Sequence, residues 1–516
     1  MEYVDTPGIV KGRLEDRRYQ SEAATACIRG DTLVILPTAL GKTSVALRVA
    51  AHVLSKGKKV LMMAPTKPLV DQHEGFFESL LDGYSVVLCN GSMTPAKRAE
   101  VIAGGDFVIS TPQCIANDLV SGKYDLSSFG LIIYDEAHKA VGGYAYVEVA
   151  ARVPPGTISM GMTASPGSDL KKIEEICDNL NLTDIFVRTE DDPDVSPYVH
   201  DTYVNRIVVN MPKDLLDISA ILKELLDEYF GELLAMRLVV NPNWPASTKH
   251  LLSIGQNLQT RLARGERTKT IFRGLTVQSI CIKILKAMDY AETQGMSVLR
   301  SYLSRIEADA EDENGSRADR ELVAREKYIK MRGITLESRV EHPKVSRIMG
   351  LVSNVIEQSS ESRIIVFTQY RETCDVIADK LAKVDGARVC KLIGQSNGGQ
   401  KQKEQIGTLS DFREGKYNVV VSTSVGEEGL DITSANAVVF YEPVPSEIRT
   451  IQRRGRTGRK NDGEVYVLIA AGTLDEVTEQ ASKRKEEQMR EGLETLRRNL
   501  AKKRGMPRGQ TSLFGF

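Results

Sequence analysis

Thr32-Leu33-Val34-Ile35-Leu36-Pro37-Thr38-Ala39-Leu40-Gly41-Lys42-Thr43 passes from an apolar run of strand length through a short turn into Gly-Lys-Thr. Ser44-Val45-Ala46-Leu47-Arg48-Val49-Ala50 then continues as a helix. Strand, turn and helix in that order form a phosphate cradle, because N–H groups of the turn and the positive end of the helix converge on an anion. In such a cradle Lys42 reaches the β- and γ-phosphates, the Thr43 hydroxyl sits on Mg²⁺, and Thr38 and Gly41 belong to the nucleotide-facing loop. Leu36 stands where the first glycine of G-x-x-x-x-G-K-[ST] falls. The reading therefore depends on what surrounds the loop.

Upstream, residues 13 to 31 read as a helix with Tyr19-Gln20 near its start and Gly30-Asp31 at its end. A glutamine there can meet an adenine edge with both its donor and its acceptor; otherwise it is a solvated helix residue. Downstream, short apolar runs alternate with helical patterns: Val60–Met63, Val86–Leu88, Phe107–Ile109, Leu131–Tyr134 and Ile158–Met160. Such runs between helices imply a parallel sheet buried on both faces, with its ligand at the carboxyl ends of the strands. The candidate motifs fall at those ends. Asp135-Glu136-Ala137-His138 follows one strand, where Asp135 is placed to hold Mg²⁺ and Glu136 to polarise the attacking water. Thr163-Ala164-Ser165 follows the next, and the hydroxyls of Thr163 and Ser165 are candidates for coupling the nucleotide to a second domain. Thr66 and Lys67, with Thr111 and Pro112, sit in two further loops whose hydroxyls and N–H groups suit phosphate-backbone contacts that ignore base sequence.

Arg188-Thr189-Glu190-Asp191-Asp192-Pro193-Asp194-Val195-Ser196-Pro197 reads as a linker. From about 211 to 340 the pattern turns helical, with Asn241-Pro242-Asn243-Trp244-Pro245 as its clearest break. Arg261, Arg264, Arg267, Lys269 and Arg273 cluster there with one intervening acid, Glu266, as a candidate phosphate contact or a solvated helix face. After His342-Pro343 the alternation resumes with Arg363–Phe367, Val389–Leu392, Asn418–Val421, Ala437–Phe440 and Val465–Ile469, a second doubly wound sheet without a phosphate loop. At its strand ends stand Thr368, Thr423, the Gly426–Asp431 loop with Gly429 and Asp431, and Gln452 to Arg459. Arg456 and Arg459, three apart, can present guanidinium forks to a γ-phosphoryl across a cleft. A charged helical tail begins near 478.

At 516 residues the chain has room for about three or four domains. No apolar run approaches the ~20 residues of a membrane span, and the first residues are no signal peptide. The seven cysteines are scattered without a C-x-x-C pair, which points to a reduced, cytoplasmic chain with no zinc site. A net charge of −1 neither announces nor excludes nucleic acid, since a local basic groove suffices.

Taken together, Tyr19-Gln20, Gly41-Lys42-Thr43, Asp135–His138, Thr163–Ser165, Gly426–Asp431 and Gln452–Arg459 resemble a superfamily 2 helicase in order and spacing over about residues 13 to 475. Leu36-Pro37-Thr38-x-Leu40-Gly41-Lys42-Thr43, the Arg188–Val195 segment and the helical insertion are most similar to the archaeal Hef helicase and its eukaryotic relative FANCM. The resemblance implies an α/β fold of two RecA-like parallel-sheet domains, at 1–205 and 343–477, flanking an inserted helical domain at 206–342, with a tail at 478–516. It implies ATP and Mg²⁺ as cofactors, catalytic roles for Lys42, Asp135, Glu136, Gln452, Arg456 and Arg459, and nucleotide contacts from Gln20, Thr38, Gly41, Thr43, Gly429 and Asp431. It further implies action on forked or branched DNA in the nucleoid of a prokaryotic cell, gripped by Thr66, Lys67, Thr111, Pro112, Thr368, Thr423, Arg261, Arg264 and Arg267. RIG-I-like and Dicer helicases, which grip duplex RNA, share the motif set, and an ATP-switched DNA-binding scaffold is the non-enzymatic alternative. Ala39 stands where the family usually has glycine, and the nuclease signature of many Hef chains is not found, so remodelling rather than cutting is expected. Finally, Gln510, Leu513, Phe514 and Phe516 resemble the peptide by which repair proteins dock on the sliding clamp PCNA.

Overall fold

The computed structural model describes residues 2–37, 40–164, 166, 170–189, 192–198, 204–239, 246–394, 400–423, 435–443 and 464–504. The first sheet contains β1 (Thr32–Ile35), β2 (Lys59–Met63), β3 (Val86–Cys89), β4 (Phe107–Ser110), β5 (Phe129–Tyr134), β6 (Ile158–Thr163) and β7 (Asp184–Val187). Helices α1 (Arg18–Arg29), α2 (Lys42–Leu54), α3 (Lys67–Leu80), α4 (Pro95–Gly104), α5 (Pro112–Val120), α6 (Ala145–Ala150) and α7 (Leu170–Asn179) connect or flank these strands. All described pairings are parallel, in the order β3-β4-β2-β5-β6-β1-β7. β1 lies near one end of that order with all four residues buried. Val34 joins the apolar layer of α1 and α2, while Leu33 and Ile35 join the opposite layer with Ile173 and Ile176 of α7. Burial on both faces is why the strand sequences are continuous apolar runs.

The described residues then form β8 (Val204–Val209) and six α-helices: α8 (Lys213–Ala235), α9 (Thr248–Ala263), α10 (Lys269–Asp289), α11 (Met296–Glu311), α12 (Arg317–Val323) and α13 (Glu326–Glu337). Their apolar faces close one core through Leu222, Leu225, Leu258, Ile280 and Leu299. Ser247 and Thr268 cap α9 and α10 by accepting from the N–H groups of His250 and Ile271. The second sheet follows: α14 (Pro343–Gln358), β9 (Ile364–Thr368), α15 (Arg371–Leu381), β10 (Val389–Leu392), α16 (Gln402–Arg413), β11 (Val419–Thr423), β12 (Ala437–Phe440) and β13 (Glu464–Ala470), ending in α17 (Leu474–Arg504). Its order is β10-β11-β9-β12-β13-β8, again all parallel.

The two edge strands β7 and β8 are absent from the sequence-based reading. β7 has four residues, and β8 leaves Val208 42% exposed, so neither carries a long apolar run. β8 also spans the expected boundary at 205/206: it pairs with β13 and completes the second sheet before the bundle begins. The segment from Arg188 is likewise no free linker where it is described. Arg188 is clasped by Asp194 at 3.1 Å and Glu22 of α1 at 2.5 Å, and the Arg17 guanidinium lies 4.4 Å over the Tyr198 ring. Ion pairing and stacking on α1 hold it against the first sheet.

Candidate nucleotide and nucleic-acid sites

The turn after β1 brings Gly41 to φ +75°, a left-handed conformation that precedes α2. A Cβ at Gly41 would come within 2.4 Å of Gln20 Nε2, so the left-handed backbone favours glycine and any larger residue would displace the Gln20 amide. Gln20 is 2% exposed. Its Nε2 donates to the Leu40 carbonyl at 3.1 Å and lies 3.4 Å from the Tyr19 hydroxyl, which itself donates to Leu40 at 2.9 Å. Buried Oε1 has no hydrogen-bond partner among the described residues. The donor side of Gln20 thus holds the loop. Lys42 and Thr43 open α2, both half-buried, and Lys42 Nζ approaches the Leu36 carbonyl at 3.4 Å.

Asp135 follows β5 and is 6% exposed. Its N–H donates to Met63 O at 3.0 Å, and the Tyr146 hydroxyl reaches both the Asp135 carbonyl, at 2.5 Å, and that of Met63, at 3.1 Å. His73 of α3 places Nε2 2.8 Å from Asp135 Oδ2. Burial pushes this carboxyl up, but the His73 hydrogen bond and the charges of His73 and Lys42 outweigh it and hold Asp135 below its ordinary range. A buried, ionised carboxylate beside a lysine at a helix N-terminus fits a phosphate-bound divalent cation. Glu136 has φ +50°, a left-handed value uncommon for a side-chain-bearing residue and concentrated at functional sites. His138 Nδ1 lies 3.3 Å from Glu136 Oε2 and 3.0 Å from the Thr163 hydroxyl, linking two strand ends.

Among the nucleic-acid candidates, Thr66 precedes α3 and Lys67 is exposed at its start; Thr111 precedes α5, where Pro112 is buried. In the second sheet Thr423 is buried. Thr368 is 3% exposed and donates to Glu442, which also accepts the Gln369 N–H. The Thr368 hydroxyl is thus turned inward. In the bundle, Glu266 holds Arg261 at 2.9 Å, and Glu232 with Glu321 hold Arg273 through four hydrogen bonds. Arg264, Arg267 and Lys269 stand exposed without an ion pair among the described residues. Thr38, Ser165, Gly429, Asp431, Gln452, Arg456, Arg459, Gln510, Leu513, Phe514 and Phe516 lie outside the described residues. His73, Tyr146 and Glu442 are not singled out from sequence, because their partners are 62, 11 and 74 residues away, and His138 is read there only as the end of the Asp135–His138 motif.

This architecture and motif set define a superfamily 2 helicase. The family profile described as "DEAD/DEAH box helicase" matches residues 17–173, and "Helicase conserved C-terminal domain" matches 344–461. Between them, the profile for the helical bundle of ATP-dependent RNA helicases matches 214–342. The crystal structure of the Pyrococcus furiosus Hef helicase domain is similar at 37% identity and a TM-score of 0.71, covering 90% of this chain and 98% of that one. A Methanocaldococcus jannaschii protein named as an ATP-dependent RNA helicase is 37% identical over 96% of this chain and 63% of its own length. A Sclerotinia sclerotiorum protein named ATP-dependent DNA helicase mph1 is 30% identical over 89% of this chain and 40% of its own. The chain therefore spans about two fifths to three fifths of these two curated relatives. It belongs to the Hef and FANCM family of superfamily 2 helicases. Among the described residues no helix is long and apolar enough to cross a membrane.

Proposed function

We propose that this chain is an ATP-dependent motor that remodels forked or branched DNA in replication-fork repair and recombination, working at the nucleoid of a prokaryotic cell. The observation that carries the reading is the buried Asp135 carboxylate, held ionised between His73 and Lys42 beside the glycine-favouring loop at Gly41. Bound ATP·Mg²⁺ supplies the phosphoryl group whose transfer to water releases free energy. Lys42 would neutralise phosphate charge, and Thr43 with Asp135 would hold the cation. Gln20 Oε1 accepts from the adenine amino group. Glu136 takes a proton from the attacking water, with His138 steadying Oε2. Gln452, Arg456 and Arg459 act on the γ-phosphate, and Gly429 with Asp431 contacts the nucleotide. Thr163 and Ser165 couple nucleotide state to the second domain. DNA lies along the strand-end loops and is held by its backbone, so affinity falls with salt. Gln510, Leu513, Phe514 and Phe516 dock the chain on a sliding clamp; the spacing of the Gln, Leu and aromatic residues supports this part.

The test is ATP turnover by wild type and Glu136→Gln with forked DNA, with duplex RNA and without nucleic acid, at two salt concentrations. Stimulation by the fork, lost in the variant, is expected. Stimulation by RNA alone would favour the duplex-RNA reading, which the names of the M. jannaschii relative and the bundle profile bring forward. Turnover indifferent to either polymer would overturn the motor.

A further inference from the structure

His73 lies at a crossing that the nucleotide motifs do not account for. It is 6% exposed, stands two turns into α3, and contacts the one carboxylate assigned to Mg²⁺. The other end of α3 begins at Thr66 and Lys67, the loop assigned to nucleic acid. Thr66 Oγ1 is buried without a hydrogen-bond partner among the described residues, and Lys67 is exposed beside it. Seven residue steps along the helix lead from Thr66 to His73, a rise of about 10 Å. One short rigid element thus spans both sites.

We propose that His73 is a positioning residue, which sets the rotation of the Asp135 carboxylate for Mg²⁺ and transmits to it the state of the nucleic-acid end of α3. The inference rests on the reading of the chain as a DNA-stimulated ATPase and adds the element that connects the two sites. Three observations support it. The main chain of Asp135 is already fixed by Met63 and Tyr146, so side-chain rotation is the freedom left to control. His73 Nε2–H donates to Oδ2 and so orients the carboxylate that would hold the cation; a partner that orients a metal ligand in this way typically matters tenfold or more in metal affinity. The helix is seated by Phe77, one turn beyond His73, whose ring stacks on Phe107 of β4 at 4.2 Å. A shift at the start of α3 would therefore be felt at Oδ2 rather than lost in a loose helix.

The experiment uses the full chain with His73→Leu, which keeps the volume and removes the donor, and His73→Gln, which places an amide N–H at the same reach. Binding of a fluorescent ADP is measured with Mg²⁺ and with EDTA, alongside the ratio of ATP turnover with and without forked DNA. His73→Leu should weaken Mg²⁺-dependent binding about tenfold, leave the EDTA value unchanged, and reduce the turnover ratio; His73→Gln should recover most of both. If His73→Leu does not fold, His73→Asn, too short to reach Asp135, takes its place. Mg²⁺ dependence and turnover ratio equal to wild type in the donor-less variant would overturn the proposal. So would a His73→Gln that melts like wild type yet performs no better than His73→Leu. A wild-type chain that ignores forked DNA would count against the motor reading itself, whatever the variants do.

Discussion

At the carboxyl edge of the first sheet, Gln20, Gly41, Lys42, Asp135 and Glu136 gather around one turn, with Gln20 Oε1 left unbonded among the described residues. At the same edge of the second sheet the described polar side chains at Tyr370, Thr373, Tyr441 and Lys344 are bonded to the helical insertion or to one another. Tyr370 donates to Asp289 of α10 at 2.5 Å and accepts from Lys286 at 2.6 Å. Thr373 donates to Gln294 at 2.6 Å, and Tyr441 reaches the Gln294 carbonyl at 3.4 Å. Lys344, wholly buried, is paired with Asp475 and donates to the Thr293 carbonyl at 3.2 Å. Residues 290–294 form a π-helical turn, and at the following Gly295, with φ +102°, a Cβ would meet His342 at 2.7 Å. Two parallel sheets therefore use one kind of edge in two ways. Among the described residues, the first keeps donors and acceptors for a ligand, and the second uses them to fix the helical insertion in place.

The sharpest way to break this contrast is to compare Lys42→Ala with Lys344→Met. Lys42→Ala should reduce ATP turnover by at least ~100-fold while the melting temperature stays close to wild type. Lys344→Met strands the Asp475 charge in a 2%-exposed site and should cost about 3–5 kcal/mol, read by chemical denaturation. Equal stability losses in the two variants would erase the distinction between the edges.

A smaller effect is pH-dependent. Burial and the nearby Lys344 charge push His342 down to about 3, against a hydrogen bond to the Glu292 carbonyl that favours the charged form. The folded state therefore binds fewer protons than the unfolded state between about 3 and 6.5. The stability tied to neutral His342 is present above 6.5 and is lost as pH falls through that window. His342→Asn, which can still cap α14, should remove about 2 kcal/mol of the stability lost between pH 7 and pH 5. Denaturation curves at the two pH values check it. Tyr370→Phe is expected to cost less, about 1 kcal/mol for one hydrogen-bonded phenol. Its diagnostic effect is that nucleic-acid stimulation falls more than basal turnover.

Much of this was legible in the sequence. Runs such as Leu131–Tyr134 marked buried parallel strands because both faces are covered; Asp135-Glu136 directly follows β5, and Gly41-Lys42-Thr43 comes after β1 with only residues 36–40 between, so placing the strands placed the chemistry. What stayed hidden depends on long-range partners. His73 reads as one more polar residue on an amphipathic helix until β5 brings Asp135 beside it. Thr368 reads as a hydroxyl at a strand end until Glu442, 74 residues on, turns it inward. Burial pushes that Glu442 carboxyl up to about 7, a property no local spacing announces. β7 and β8 lay hidden for the opposite reason, since an edge strand has one unpaired side and needs no long apolar run.

The basic cluster of the bundle carries the same lesson at its mildest. Arg261, Arg264 and Arg267 look equivalent in sequence, yet Arg261 is engaged by Glu266 while the other two are exposed and without an ion pair among the described residues. If the hairpin between α9 and α10 touches phosphates, Arg264→Ala and Arg267→Ala should each lower the slope of log affinity for forked DNA against log salt by about 1. Arg261→Ala should change it less, because removing a cation already paired with Glu266 releases fewer counterions on binding. Glu266→Ala, which frees Arg261, should steepen the slope instead. Equal effects from all three arginines would mean that the exposed ion pair opens at no cost when DNA arrives, as weak surface pairs can.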